Sequence, residues 1–198
     1  RGNSGGIALT TPFGPFSARV DGSHRQGGDV NTPIGRLDNT SISTSNGSAG
    51  LSLVKRWGYV GAAAAYYTSD YGIPGGFVGA HPYGVDIELE RKHYEIKSSL
   101  FLDLPLIKQV DLSGTYSRYF HQEFESNGSL GIEFGLLTYN GSVSAKLRDK
   151  GVLQNGEVGL WNEYRNYASG GFSFTPPTTE QTIAGYYYQE IIAGNLDI

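Results

Sequence analysis

The sequence has no cysteine and no methionine among its 198 residues. Without cysteine there is neither a disulfide framework nor a thiol nucleophile, and the absence suits an envelope protein that avoids thiol chemistry. Because the chain begins at Arg1 and contains no methionine, we expect it to be a processed or truncated piece of a longer protein.

Positive charge and long apolar runs are also scarce. The chain carries 15 Lys and Arg against 19 Asp and Glu, a net charge of -4, so it offers no basic field and no nucleic-acid partner is expected. No apolar run reaches the roughly 18 residues of a transmembrane helix, and the most apolar window is only Tyr59 to Tyr67. A membrane-spanning strand needs only about 9 to 11 residues of alternating hydrophobicity, so a membrane-spanning sheet remains possible.

Glycine and tyrosine are abundant, with 29 and 14 residues, and they indicate many strands and turns. The stretch from Val85 to Glu123 shows the pattern best, because apolar and polar residues alternate with a period of two in both of its halves. Pro105 lies between the halves and predicts a tight turn. The alternation changes parity near Arg91 to His93, which predicts a β-bulge there.

The same pattern predicts a lead-in segment over residues 1–15 and a partial barrel over residues 16–198. Within the barrel region it predicts about eight strands, at residues 16–24, 40–54, 59–71, 85–100, 110–123, 137–147, 156–167 and 179–192. The connections alternate between long and short, with the segment 124–134 counted among the long ones. Since outer-membrane barrels have short periplasmic turns and long extracellular loops, the sequence predicts an all-β, antiparallel, up-and-down transmembrane β-barrel.

Aromatic residues cluster where the predicted strands approach the long loops. They fit an interfacial girdle, but tyrosine and phenylalanine also favour strands and pack across neighbouring ones, so both interpretations stay open. The clusters are Tyr66, Tyr67 and Tyr71; Tyr116, Tyr119 and Phe120; and Tyr164 and Tyr167.

Several stretches together resemble one family. Tyr71-Gly-Ile-Pro-Gly-Gly76, the run from His81 to Arg91 and Tyr94-Glu-Ile96 are similar to the middle of the barrel in TonB-dependent outer-membrane receptors, and most similar to the zinc and iron-complex branch. Further stretches fit the same order, and the resemblance covers Phe16 to Glu190. They are Asp29 to Asn39, Tyr119 to Glu125, Pro176 to Thr179 and Gln189-Glu190.

The resemblance implies a barrel of about 22 strands, filled by an N-terminal plug that recruits TonB. It also implies a location in the bacterial outer membrane, contact with outer-membrane lipid, and import of a metal complex, a siderophore or another small nutrient. This chain lacks the plug and the remaining strands, so we expect it to be a barrel segment. The alternative is a small closed outer-membrane barrel or a β-rich adhesin with a structural or interaction role.

The expected ligand-binding residues lie in or beside the extracellular loops: Tyr71, Phe77, His81, Tyr83, His121 and Glu123. His121 and Glu123 share one strand face, where they could meet a cationic ligand or simply form a solvated polar face. His81 is alone in its loop, whereas zinc generally needs three or four converging ligands, so no metal site is expected. With no nucleophile, base and orienting group in a recognisable arrangement, no phosphate loop and no dinucleotide fingerprint, neither an enzyme nor a cofactor is expected.

Overall fold

The structure, a computed structural model, describes residues 2–76, 81–172, 175–194 and 196–197. Throughout these residues the regular structure is β-strand, and no helix is long and apolar enough to cross a membrane. The strands are β1 (Gly2–Phe13), β2 (Phe16–Gly27), β3 (Val30–Thr32), β4 (Gly35–Leu37), β5 (Ile42–Lys55), β6 (Gly58–Ile73), β7 (Val85–Phe101), β8 (Ile107–Glu125), β9 (Leu130–Leu147), β10 (Leu153–Gly171), β11 (Thr178–Ala193) and β12 (Leu196–Asp197).

One antiparallel sheet contains all the long strands in chain order, β1-β2-β5-β6-β7-β8-β9-β10-β11, with the short β12 paired beyond β11. Strands β3 and β4 form a separate small hairpin within the connection from β2 to β5. The prediction of an all-β, antiparallel, up-and-down sheet is therefore confirmed. No pairing joins β1 to β11 or β12 in the described residues, so the sheet is open.

The hairpin predicted over Val85 to Glu123 is confirmed as β7 and β8, paired from Val85↔Glu125 to Phe101↔Gln109. The predicted bulge near Arg91 to His93 is wrong, because the register of β7 against both neighbours runs through these residues without a shift. The parity of the apolar residues changes for another reason. Val85 and Ile87 are buried on one face, while Tyr94 and Ile96 are exposed on the other, so one regular strand crosses two environments.

Two segments differ from the sequence-based expectation. The structure places β1 within the predicted lead-in segment, where the alternation of Ile7, Leu9 and Phe13 is diluted by glycine and threonine. The segment 124–134 is not a long loop, because β8 extends to Glu125 and β9 begins at Leu130. Asn127 and Gly128 turn the chain there, with Gly128 at φ 79° and the Asn127 carboxamide oxygen accepting from the Ser129 backbone N–H at 2.9 Å.

The connections fall into two groups at opposite ends of the sheet. One end has the short turns at residues 14–15, 56–57, 102–106 and 148–152. The other end has the connections 28–41, 74–84, 126–129 and 172–177, of which only 126–129 is as short as the turns opposite. We call this second end the loop end. The predicted alternation of long and short connections is therefore found in the structure, except that the 126–129 connection at the loop end is short.

The sheet is a single layer. Among the described residues only Val85 and Ile87 are buried hydrophobic side chains, at 6% and 1% exposure, and no second sheet or helix packs on either face. A soluble domain normally buries the apolar face of a sheet against another layer. Function is therefore inferred from the side chains on the two uncovered faces of this sheet.

Candidate functional site

The apolar residues of neighbouring strands line up on one face, which we call the outer face. In one row of cross-strand partners, Leu9, Val20, Ala49, Ala64 and Tyr94 lie side by side from β1 to β7. Other apolar side chains of the outer face are strongly exposed, including Ile7 at 77%, Ile183 at 73%, Leu160 at 58% and Ile96 at 54%. An apolar surface this continuous exceeds what a soluble monomer normally exposes, and it marks an interaction surface.

A ladder of tyrosines borders this apolar surface on the side of the loop end. Tyr94, Tyr116, Tyr139 and Tyr164 are direct cross-strand partners on β7 to β10. Their ring centroids are separated by 5.8, 5.1 and 6.1 Å in that order, within the range of favourable aromatic contacts. We call these residues the tyrosine ladder. The sequence-based clusters contained two of its members and missed Tyr94 and Tyr139.

The row beyond the tyrosine ladder is charged. Lys92 and Arg118 face each other across β7 and β8, directly above Tyr94 and Tyr116. Lys92 Nζ bonds Glu90 Oε1 at 2.8 Å, and the Tyr66 hydroxyl donates to Glu90 Oε2 at 2.7 Å. On β7 and β8 the outer face thus changes from apolar through aromatic to charged over successive pairs of residues.

The opposite face, which we call the inner face, is polar. Its carboxylates are less exposed than the apolar side chains of the outer face: the side chains of Asp21, Glu95 and Asp111 are 28%, 30% and 33% exposed. Each of them is hydrogen-bonded or ion-paired to a neighbour on the same face, for example Asp21, which accepts from the Ser48 hydroxyl at 2.8 Å. The carboxylates of the inner face are therefore more sheltered than the apolar side chains of the outer face, the reverse of a soluble protein.

The inner face brings three predicted ligand residues close together near the loop end. Tyr71 lies opposite Ile87 on β7, and Ile87 lies opposite Glu123 on β8, so Tyr71 and Glu123 flank a fully buried isoleucine. His121 lies two residues before Glu123 on the same face, with its Nε2 at 3.3 Å from Glu123 Oε1. The predicted common face of His121 and Glu123 is confirmed, and Tyr71 joins them from two strands away.

The other predicted ligand residues lie around the 74–84 connection. His81 Nδ1 is 3.0 Å from Glu125 Oε2, so this loop contacts the end of β8 just above Glu123. Tyr83 is 79% exposed. Phe77 lies outside the described residues, so its place in the site stays a prediction.

The structure adds three aromatic residues that the sequence analysis did not select as ligand-binding residues, although it named Tyr119 and Tyr167 among the aromatic clusters. The Tyr119 hydroxyl is hydrogen-bonded to His121 Nδ1 at 2.9 Å, and the Phe134 ring meets His121 edge-on at 5.4 Å. The Tyr167 ring stacks on Phe134 at 6.4 Å. Phe134 was missed because it was assigned to a loop, and its register opposite His121 is visible only once β9 is seen to begin at Leu130.

This loop-end cluster of Tyr71, Tyr119, His121, Glu123 and Phe134 can bind a ligand through hydroxyl, imidazole and carboxylate groups beside aromatic rings. Among the described residues no group of three or more His, Cys, Asp or Glu side chains could hold a metal ion.

The loop from β2 to β5 is held by one aspartate. Asp29 Oδ1 accepts from the Thr40 backbone N–H at 2.9 Å, and Asp29 Oδ2 accepts from Arg36 Nε at 2.9 Å. The Thr40 bond first, and the Arg36 bonds second, lower the pKa of the Asp29 carboxyl below its ordinary value. The ionised Asp29 carboxylate therefore contributes hydrogen bonds that stabilise this loop.

Asn39 connects this loop to the next one. Its carboxamide nitrogen donates to the backbone carbonyls of Ile73 at 3.1 Å and Val85 at 3.0 Å, the two residues that flank the 74–84 connection. Asn39 has a φ of 56°, a left-handed conformation that asparagine tolerates better than most residues. Asn39 therefore hydrogen-bonds the 28–41 loop to both ends of the 74–84 connection, beside the candidate site.

No protein-family model matches the chain, and no curated protein matches it.

Proposed function

We propose that this chain is a wall segment of a β-barrel in the bacterial outer membrane, and more specifically part of a TonB-dependent receptor. One observation carries the barrel proposal: apolar side chains of the outer face are exposed, whereas carboxylates of the inner face are sheltered among hydrogen-bond and ion-pair partners. A lipid-exposed barrel wall requires this arrangement, since its outward residues contact acyl chains and its inward residues contact a polar interior.

The dimensions of the apolar surface agree with a bilayer. On β8, Val110, Leu112, Gly114 and Tyr116 lie between Lys108 and Arg118. Ten residue steps span about 33 Å along a strand, or about 25 Å across the membrane at a tilt near 40°. An outer-membrane barrel has an apolar band of about 25 Å, so the two cations would lie at the two interfaces.

The tyrosine ladder supports the same placement. Tyrosine is enriched at membrane–water interfaces because its ring is apolar and its hydroxyl needs water or a polar partner. Here the ladder separates the apolar rows from Lys92 and Arg118 on the side of the longer connections. That side would be extracellular, because extracellular loops are the longer ones in such barrels.

The receptor proposal has separate support. The loop-end cluster lies on the inner face, where an imported ligand would enter the barrel, and the His81–Glu125 contact joins it to the 74–84 loop. Polar and aromatic groups at a pore entrance suit binding of a small nutrient or metal complex. In the proposed mechanism these residues bind the ligand, and TonB, acting through a plug outside this chain, drives its passage.

The barrel proposal is tested by fractionating cells that produce the full-length protein and by electrophoresis with and without heating. We expect the protein in the outer-membrane fraction, insoluble without detergent, with an apparent mass that changes on boiling. A protein that is soluble without detergent and migrates identically in both lanes would overturn the barrel proposal and favour a soluble adhesin.

The receptor proposal is tested by uptake of ferric and zinc complexes in cells with and without TonB. We expect uptake of at least one complex to require both the protein and TonB. The intact mass of the purified protein is a second test, because a large receptor should be several-fold heavier than the 21.4 kDa of this chain. A mass near 21.4 kDa would exclude the large receptor and leave a small barrel.

A further inference from the structure

The outer face contains a groove of about 710 Å³ below the tyrosine ladder. Its shape follows from the cross-strand rows: Ala49 and Ala64 lie between Val20 and Tyr94 in one row, and Ala62 lies between Leu51 and Ile96 in the next. Since neighbouring strands are about 4.8 Å apart, the alanines leave a furrow between larger side chains. Its lining is almost entirely apolar and can accept an acyl chain.

Two cations lie in the row immediately above the groove. Lys92 lies two residues before Tyr94 on β7, and Arg118 lies two residues after Tyr116 on β8, each about 7 Å toward the loop end on the same face. Lys92 is paired with Glu90 at 2.8 Å. The Arg118 side chain is exposed, and within the part of the chain that the structure describes its guanidinium makes no hydrogen bond or ion pair, although its charge acts on the Glu90 carboxylate at longer range.

The charge balance of the side chains nearest the groove favours an anion. Lys92 and Arg118 contribute two positive charges, and Glu90, two residues farther toward the loop end, contributes one negative charge. The next carboxylates on this face, those of Asp70, Glu88 and Glu133, lie one further row away, about 13 Å from Lys92 along the strands, where salt screens them. A guanidinium binds phosphate oxygens in a bidentate manner, more strongly than neutral donors do. An occupant that satisfies both the groove and Arg118 must combine an apolar chain with a phosphate.

We propose that a phosphate-bearing membrane lipid binds here, with one acyl chain in the groove and its phosphate on Arg118 and Lys92. The proposal rests on the proposed function, because it requires the outer face to contact a membrane. Free phosphate would leave the groove exposed to water, and a neutral lipid would leave Arg118 unpaired at the interface. The two features together therefore specify an anionic lipid.

The experiment is native mass spectrometry of the full-length protein in detergent, titrated with dioleoyl phosphatidic acid, dioleoylglycerol or inorganic phosphate. We expect phosphatidic acid to be retained more tightly than either of the other two probes. Equal retention of phosphatidic acid and dioleoylglycerol would show that Arg118 and Lys92 do not recognise the phosphate. Competition by inorganic phosphate as strong as that of the lipid would show that the groove contributes nothing. Either result would overturn the proposal.

Variants separate the two parts of the site. Arg118→Gln should weaken phosphatidic acid binding roughly tenfold, because a charge-assisted hydrogen bond is lost. Glu90→Gln should strengthen it, because the carboxylate that competes for Lys92 is removed. Ala64→Leu should fill the groove and weaken phosphatidic acid and dioleoylglycerol alike.

Arg91→Gln is the matched control, since Arg91 precedes Lys92 on the same strand but lies on the inner face, where its Nε donates to the Ser117 hydroxyl at 3.3 Å. It should leave lipid binding unchanged. Each variant is first checked for heat-dependent migration. If the wild-type protein is not a membrane barrel, the proposed function fails with this site. If every variant forms the barrel and Arg118→Gln binds phosphatidic acid like the wild type, only the lipid site is overturned.

Discussion

Leu112 and Ser113 show at the scale of single residues how the two faces differ. They are neighbours on β8, but Leu112 lies on the outer face between Ser98 and Val143, and Ser113 lies on the inner face, with its hydroxyl 2.7 Å from that of Ser142. A charge placed at these two positions would therefore meet opposite environments. One enters the apolar surface and the other a polar surface already rich in ion pairs.

We predict that Leu112→Arg strongly reduces barrel assembly, whereas Ser113→Arg does not. A basic residue facing lipid near the bilayer centre costs about 2 to 4 kcal/mol, and the cost is small where the side chain reaches water. The measurement is the fraction of heat-modifiable protein after refolding into lipid vesicles, with both variants at equal concentration. Equal assembly of the two variants would contradict the assignment of the faces.

Asp29 gives a prediction for pH. Its folded-state pKa is lowered, so its carboxylate stabilises the 28–41 loop at pH values above the unfolded-state value of 3.8, and the contribution is lost as the pH falls through the lower folded-state pKa. We expect the Thr40 amide to exchange more slowly in the wild type than in Asp29→Asn at pH 5, after correction for intrinsic rates. The difference should shrink as the pH is lowered below 3.8.

The control for this prediction is Asp38→Asn. Asp38 is 89% exposed and contacts the same Arg36 at 3.4 Å, but its carboxylate accepts no backbone N–H of the loop. We expect no change in Thr40 exchange in this variant. A comparable loss of protection in both variants would mean that the general charge of the loop, and not the Asp29–Thr40 bond, holds it.

At the scale of elements, the Asn39 side chain hydrogen-bonds the 28–41 loop to the residues that flank the 74–84 connection. We predict that Asn39→Ala loosens the junction more than Asn39→Gly does. Both variants lose the hydrogen bonds to Ile73 and Val85, about 0.5 to 1.5 kcal/mol each, but only alanine also carries the strain of a positive φ. The readout is exchange of the Gly72 amide, which bonds the Ser41 carbonyl at 3.0 Å. Faster exchange in the glycine variant would contradict this explanation.

The segment from Gly72 to Gly84, which comprises the last two residues of β6 and the 74–84 connection, has its own prediction. If the chain belongs to the proposed receptor, deletion of this segment should impair binding of the ferric or zinc complex identified by the uptake test, while membrane insertion remains intact, because His81 joins the segment to Glu125 beside the loop-end cluster. Binding to whole cells and heat-dependent migration are measured on the same preparation. Shortening the 172–177 connection at the same end is the control. Unchanged binding after deletion of 72–84 would exclude a role for this loop.

At the scale of the whole molecule, the open edges of β1 and β11 decide between a large and a small barrel. These 198 residues contain no cysteine, so a disulfide within them can form only between introduced residues. Thr10→Cys on β1 is combined with a cysteine at Thr182, Ala184 or Tyr186 on β11. As part of a large barrel, these pairs should form no disulfide within the chain, because Cβ atoms must approach to about 3.5 to 4.5 Å.

The positive control is Thr10→Cys with Arg19→Cys, since these residues are direct partners across β1 and β2. Directly opposed residues on antiparallel strands have Cβ atoms about 4.5 to 5.5 Å apart, close enough for a disulfide after a small adjustment. A disulfide between β1 and β11 within one chain would show that the sheet closes on itself. It would replace the large receptor by the small barrel.

The sequence by itself determined the strands and their two faces, because the period of two in stretches such as Val110 to Glu123 reflects only where successive side chains point. It also indicated the grouping of long and short connections, since glycine, proline and asparagine mark turns locally. It failed where the local signal was diluted, in β1, or was assigned to a loop, at Phe134. The bulge assigned to Arg91–His93 failed for a related reason, because a change of environment along a strand looks like a change of register.

Only the tertiary structure decided which residues meet across strands. The tyrosine ladder joins positions that are more than 20 residues apart in sequence, and Tyr71 reaches Glu123 only through the register of β7. The sheltering of polar groups and the exposure of apolar ones also depend on the whole sheet, because no single strand shows which of its faces lacks a second layer. Cross-strand register and layer packing are non-local, and a pattern of neighbouring residues does not contain them.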